Sequence, residues 1–349
     1  MKPRFHCSSL FAAALLAALF ARPASAATAQ FPNGHHGPSH HGPPWSSPVA
    51  FSQTIHVGGA AIQIDFAPGP LDLSYAQIVP WVETAARAVS GYYGRFPVPR
   101  DRVLIVPAAG RRGVLSGATW GAVDGFPAFH RMRLGQHTTP QDLTADWTMT
   151  HEFVHTALPS LADNHHWLEE GLATYVEPIA RAQLGTLTSE FVWQETVKGM
   201  RQGEPQPPNP NPAHGLDNTH TWASTYWGGA LFCMLADIQI REATHNRVGL
   251  QTALRGILAA GGSIAVDWPI EKVLAAGDRA TGTTVLADLY NKMGKASYAP
   301  IDLDALWKRL GISEANGKVV FDNHAPLAPI RQSILTGYSG PATAVSKSP

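Results

Sequence analysis

The sequence predicts an α+β fold: a small mixed sheet carrying one helix, followed by a longer helical region. Three observations lead there. Apolar residues alternate with polar ones through residues 51–66, short apolar runs separated by Gly and Pro continue to Leu134, and from Thr139 onward the apolar spacing becomes helical. At 349 residues and 44% hydrophobic content the chain is long enough to bury a sizeable core.

In chain order, the first segment reads as a secretory signal peptide over residues 1–26. Lys2 and Arg4 form a basic start, residues 10–20 an apolar run too short to span a membrane, and Ala24-Ser25-Ala26 a small-residue cleavage site. Cleavage after Ala26 places the mature chain outside the cytoplasm, secreted or periplasmic, with no stable membrane insertion. It also removes Lys2, Arg4, Arg22 and no acid, leaving 23 basic against 26 acidic residues, a net charge of −3. That balance favours neither nucleic acid nor an anionic membrane as a partner. Cys7 leaves with the signal, so Cys233 is the only cysteine of the mature chain, and its apolar neighbours mark it as a buried small hydrophobe.

Residues 27–50 are rich in Pro, Gly, Ser and His, including His35, His36, His40 and His41, and read as a linker. An N-terminal α/β part is expected over 51–135. Ile55, Val57, Ile62, Ile64 and Phe66 alternate around Gly58-Gly59, a β-hairpin signature. Ser74 caps a helix whose apolar face runs from Ile78 to Val89 and which Gly91 and Gly94 end. Strands follow at 103–106, 115–120 and 128–134.

A helical part is expected over 136–245. Thr139 as N-cap, Pro140 at the first position and Asp142 in the first turn start a helix that runs to Leu158, before Pro159. On that single helix Leu143, Trp147, Val154 and Leu158 form an apolar stripe. His151 and His155 lie on its flank, about 40° and 80° from Trp147, with Glu152 about 60° further round. A second helix starts near Asp163 or Asn164 and ends at Leu184-Gly185. The short connection favours an antiparallel pair, which brings Glu170 back toward His151 and His155. Residues 205–212 read as an irregular loop. Further helices are expected at 221–243 and, in a C-terminal helical region over 246–325, at 248–260, 270–276, 285–293 and 304–310. A strand at 318–321 and a loose tail over 326–349 complete the chain.

The chemistry sits in His151-Glu152-Phe153-Val154-His155. On a helix, this H-E-x-x-H pattern puts two imidazoles one turn apart on one face, at the separation that lets both hold one zinc ion. Glu152 stands beside them, placed to take a proton from water as a general base.

Together with Leu168-Glu169-Glu170-Gly171-Leu172-Ala173-Thr174-Tyr175-Val176-Glu177, the motif resembles the gluzincin metallopeptidases, in particular the M1 aminopeptidases and the M61 glycyl aminopeptidases. The resemblance implies a thermolysin-like zincin catalytic domain, one Zn2+ ion, and Glu170 as the third zinc ligand beside His151 and His155, with Glu169 the alternative. Thr225-Tyr226-Trp227-Gly228-Gly229-Ala230-Leu231 is similar to a family segment whose Tyr stabilises the oxyanion, which would make Tyr226 the second catalytic residue after Glu152. Two departures stand out. Only fourteen residues lie between His155 and Glu170, fewer than in the M1 group. Gly117-Ala118-Thr119-Trp120-Gly121 occupies the place of the G-A-M-E-N strand and lacks its amine-binding Glu, leaving Asp124 or Glu169 as substitutes.

Glu177 and Thr174, on the helix of Glu170, are candidates to orient the imidazoles; His165, His166 and His220 read as rim residues. The implied function is a secreted zinc metallopeptidase acting on a peptide or protein substrate through a zinc-activated water. The alternatives are a catalytically silent, zinc-bearing peptide-binding protein of the same fold, or a zinc amidase acting on cell-wall peptides.

Overall fold

Strands β1 (Phe51–Val57) and β2 (Ala60–Phe66) form the expected hairpin, turning at Gly58 and Gly59, whose φ angles of 57° and 83° suit glycine. The computed structural model describes residues 47–204, 215–218, 221–296 and 301–337. The expected signal segment, nearly all of the 27–50 linker with its four histidines, the 205–212 loop and His220 therefore lie outside the described residues. Helix α1 (Tyr75–Tyr93) begins at a capping box between Ser74 and Gln77 and ends at Gly94 in the left-handed conformation. Its buried face, including Ile78, Val82, Ala86 and Val89, lies on the sheet.

The sheet is mixed, as expected. Strand β3 (Arg100–Ala108) runs parallel to β2, and β6 (Phe126–Gly135) runs parallel to β3. Two short strands, β4 (Val114–Ser116) and β5 (Thr119–Val123), both pair antiparallel with the outer edge of β6, so the order is β1-β2-β3-β6-β4/β5. The strand expected at 115–120 is thus broken at Gly117-Ala118, although Ala118 still exchanges two backbone hydrogen bonds with Arg131. On β6, Ala128, His130, Met132 and Leu134 are all buried on one face, while Phe129 packs with Leu104 and Val123 on the other.

The largest departure is in the helix expected over 139–158. Two helices replace it: α2 (Pro140–Ala145), capped by Thr139, and α3 (Thr148–His155). Asp146 separates them. Its backbone is extended, and its carboxylate accepts from the Met149 N–H at 3.0 Å and from the Trp81 indole at 3.0 Å. A side chain that caps α3 and ties it to α1 outcompetes one more helical turn. Trp147 therefore precedes α3 and does not belong to a continuous stripe with Leu143.

A single turn at Asp163–His165 leads into α4 (His166–Gln183), which ends before Gly185 as expected. Helix α5 (Ser189–Gly203), capped by Thr188, occupies a stretch where the sequence reading assigns no element. A π-helical turn, Ser224–Gly228, then runs into α6 (Gly229–Ala243). Helices α7 (Leu250–Ala259), α8 (Ile270–Thr281), α9 (Val285–Leu289) and α10 (Leu303–Leu310) match the remaining expected ones within a few residues. A β7–β8 hairpin (Ile312–Ala315, Lys318–Phe321) follows.

The expected loose tail over 326–349 begins instead with a docked helix, α11 (Ala328–Thr336). Ile330 and Ile334 are buried, and Arg331 donates to the Leu310 and Gly311 carbonyls at 3.0 and 2.8 Å. Among the described residues no helix is long and apolar enough to cross a membrane.

Candidate metal centre

Helix α3 delivers His151 and His155 one turn apart, and α4 delivers Glu170 opposite them. Glu170 Oε2 lies 3.1 Å from His151 Nε2 and 3.7 Å from His155 Nε2. One ligand atom from each of the three residues falls within 4.8 Å of the others, the only such group of three His, Cys, Asp or Glu side chains among the described residues. Two imidazoles and a carboxylate converging from two packed helices fit the donor set and number of a catalytic zinc site that keeps a position open.

Charge works strongly at this spot. Burial opposes ionisation of Glu170, but the attraction of His155, the hydrogen bond and charge of His151, and the charge of His166 outweigh it and pull its pKa down to about 2. The two imidazoles shift in opposite directions. Burial alone would lower both. At His151 the hydrogen bond to Glu170 overcomes it, helped by Glu152 and Glu177, and holds the pKa above the ordinary imidazole value. His155 has no such hydrogen bond and is repelled by His151, so burial keeps it below that value.

Of the two adjacent acids, Glu170 meets the imidazoles and Glu169 does not. Glu169 accepts from the Leu161 N–H and from His166 Nδ1, both at 3.0 Å, pinning the loop before α4. His166 reaches further than a rim residue: its Nε2 lies 3.4 Å from Glu170 Oε1. His165 pairs instead with Asp217 at 2.9 Å, which also accepts from the Trp167 indole and the Tyr290 hydroxyl. Glu177 is bound by Arg181 at 2.9 Å and acts on His151 through its charge; the Thr174 hydroxyl is buried without a partner. Asp124 pairs with Arg102 at 3.6 Å.

Glu152 is buried beside the cluster, and its Oε2 accepts from the Thr119 hydroxyl at 2.5 Å. Gly117 permits this approach, because a Cβ there would lie 2.5 Å from Glu152 Oε1 and Cγ. Tyr226 arrives on the π-helical turn, with its ring stacked 6.2 Å from that of His151 and its hydroxyl bonded to Glu170. Burial and the nearby carboxylates of Glu170 and Glu152 push its phenol well above the ordinary tyrosine value, so it is a donor at neutral pH. The close approach needs two glycines: a Cβ on Gly171 would fall 2.2 Å from the Gly229 backbone, where α4 crosses the start of α6. Cys233 is buried and its thiol is pushed far up by burial, inert as expected.

Sequence reasoning did not single out Thr119 as a partner of Glu152, nor the buried His130 and Asp101 behind it. The signal for His130 was present, as a polar residue in the inward series Ala128, His130, Met132, Leu134.

No known family profile matches the chain, and no curated protein sequence does. Solved structures do match. The chain superposes on an aminopeptidase N family protein from Idiomarina loihiensis with a TM-score of 0.54 at 12% identity, covering 75% of this chain and 49% of that one. It is also similar to an M1 zinc metallopeptidase variant from Deinococcus radiodurans bound to a Tyr-Ser-Ala substrate. There the TM-score is 0.45 and the identity 15%, over 72% of this chain and 54% of that one. The chain thus spans about half the length of the solved structures it matches. It shares a mixed α+β fold, a small sheet with many helices, with that aminopeptidase N family protein.

Proposed function

We propose that the chain is a zinc-dependent metallopeptidase of gluzincin type, with a thermolysin-like arrangement of its active-site helices. One observation carries the proposal: His151, His155 and Glu170 converge within 4.8 Å while Glu152 and Tyr226 stand at the same spot. A cluster built only for stability has no use for a second buried carboxylate beside the first. The fold shared with an aminopeptidase N family protein adds support.

His151, His155 and Glu170 would hold the ion. Bound there, zinc supplies Lewis acidity toward the scissile carbonyl and makes water a nucleophile near neutral pH. The chain's own groups do the rest. Glu152 takes the proton of the attacking water and delivers it to the leaving nitrogen. Tyr226 donates its hydroxyl to the oxygen that gains charge. Glu170 lies against both imidazoles while Glu152 is held from the sheet side by Thr119, which divides the two carboxylates into ligand and base.

We further propose a peptide or protein substrate, and export through the signal-like segment ending at Ala26. An amine-gripping acid finds no support, since Glu169 and Asp124 are both committed to other partners.

The test is purified wild type beside Glu152→Gln. Wild type should hold about one zinc per chain and cleave a mixed peptide library. Glu152→Gln should keep the zinc and lose about 10²- to 10⁴-fold in turnover. Wild type that retains no zinc, or equal products from both proteins, would end the peptidase reading.

A further inference from the structure

Three polar side chains stand in a row across neighbouring strands on the sheet face turned toward α3. Thr119 on β5 is the direct cross-strand partner of His130 on β6. Asp101 on β3 lies two residues before Val103, the partner of His130 on its other side, and so shares that face. The contacts are continuous. His130 Nε2 lies 3.0 Å from Asp101 Oδ2, and His130 Nδ1 lies 2.8 Å from Thr119 Oγ1. Thr119 Oγ1 in turn lies 2.5 Å from Glu152 Oε2 and 3.3 Å from the Glu152 carbonyl.

Asp101 and His130 are completely buried. Phe153 of α3 stands edge-on to the His130 ring at 5.0 Å and to Phe96 at 5.2 Å, closing the pair off on the core side. Apolar side chains would fill this volume at lower cost, because a buried carboxylate and imidazole each lose their hydration. The row therefore needs a reason, and its only end outside the sheet is Glu152.

The hydrogen count gives that reason. Thr119 donates its single hydroxyl hydrogen to Glu152 Oε2, so toward the ring its hydroxyl oxygen must accept from His130 Nδ1–H. The other ring nitrogen, Nε2, faces Asp101 Oδ2 with one hydrogen shared between them, and the other Asp101 oxygen, Oδ1, accepts from the Arg102 N–H at 2.7 Å. Asp101 thus fixes the ring, the ring fixes the hydroxyl rotor, and the hydroxyl fixes one carboxylate oxygen. Gly117 keeps the space beside the other oxygen, Oε1, free of a side chain.

We infer that Thr119, His130 and Asp101 are positioning residues for Glu152, a buried chain that ties down Oε2 and leaves Oε1 for the substrate water. The inference rests on the peptidase reading above for its kinetic consequence, while its structural content stands without it.

Thr119→Val removes the hydroxyl at nearly constant volume, and Thr119→Ser restores it. Thr119→Val should keep zinc and lower kcat about 10- to 100-fold with KM changed less than about twofold, and Thr119→Ser should recover most of the loss. An unchanged kcat in Thr119→Val, or a loss confined to KM, would overturn the assignment. A readout independent of activity accompanies it. In 15N-labelled, zinc-free wild type, the Nδ1–H proton of His130 should be visible and slow to exchange; a ring carrying no proton on Nδ1 refutes the chain. If wild type fails to cleave any peptide while His130 carries its Nδ1 proton, the peptidase reading falls and the chain remains.

Discussion

Glu170 is the residue on which the candidate centre turns, because one carboxylate answers to three imidazoles. His151 is held above the ordinary imidazole value by its hydrogen bond to Glu170, and His155 below it by burial. At pH 6.5 more than half of the zinc-free molecules therefore carry a proton on His151. Zinc must expel that proton, since only a neutral imidazole binds metal. His166, raised first by its hydrogen bond to Glu169 and further by Glu170, would release part of its own share when zinc neutralises Glu170. Zinc binding at pH 6.5 should thus release at least half a proton per ion from the imidazoles, a share that shrinks as pH rises past the His151 value. Calorimetry in buffers of differing ionisation enthalpy reads this directly, and heats identical across buffers at pH 6.5 would contradict it. Tyr226 gives a second expectation at this scale. Tyr226→Phe keeps the ring stacked on His151 and removes only the donor, so kcat should fall roughly 10²-fold with zinc content intact. A fall in zinc content instead would make Tyr226 a support for Glu170.

At the scale of elements, α3 is eight residues long and could not stand alone; its place comes from Asp146 and from packing on α1 and α4. Asp146→Ala removes the cap and orphans the Trp81 indole, and should cost about 2 kcal/mol in a urea melt. Zinc affinity should weaken with it, because the helix carrying both imidazoles loses its anchor. A melt unchanged within about 0.5 kcal/mol would show the α2–α3 break to be tolerated without that cap. The same residue marks the boundary of what the sequence made legible. Thr139-Pro140 and Pro159 bracket the helical stretch correctly, yet Asp146 reads as an ordinary polar helix residue until Trp81, sixty-five positions away, is seen to donate to it. Helix α5 and helix α11 were missed for a related reason: they are held by partners brought from elsewhere, such as the Leu310 and Gly311 carbonyls that accept from Arg331. By contrast His151, His155 and Glu170 were legible. Helical spacing pairs the two imidazoles and a short connection returns the next helix to them, while the choice of Glu170 over Glu169 came from the family resemblance. Thr119 and His130 were not, since strand register decides which side chains meet across a sheet and no turn signal in the sequence fixes it here.

At the scale of the whole molecule, the sheet, α1, α3, α4, α6 and the C-terminal helices share one continuous apolar core, in which Trp167, Phe153, Phe232 and Ile334 are all buried. The candidate ligands sit at the edge of that core, on α3 and α4, and Gly171 against Gly229 locks α4 to the next helix. A metal bound there would tie together two helices that both pack into that core. Its binding energy should therefore appear as stability of the entire folded chain. At a free zinc concentration 100-fold above Kd the gain is about 2.7 kcal/mol. For a chain of this size each kcal/mol moves Tm by roughly 1.5 °C, so chelation should lower Tm by roughly 4 °C. Glu170→Gln isolates the cause, because it keeps the side-chain volume while removing the charged ligand. Its melting should be insensitive to chelator and already displaced downward. Two separate transitions in wild type, only one of them zinc-dependent, would show the helical layer around α3 and α4 to unfold apart from the sheet, and the shared core would then not be the cooperative unit inferred from its packing.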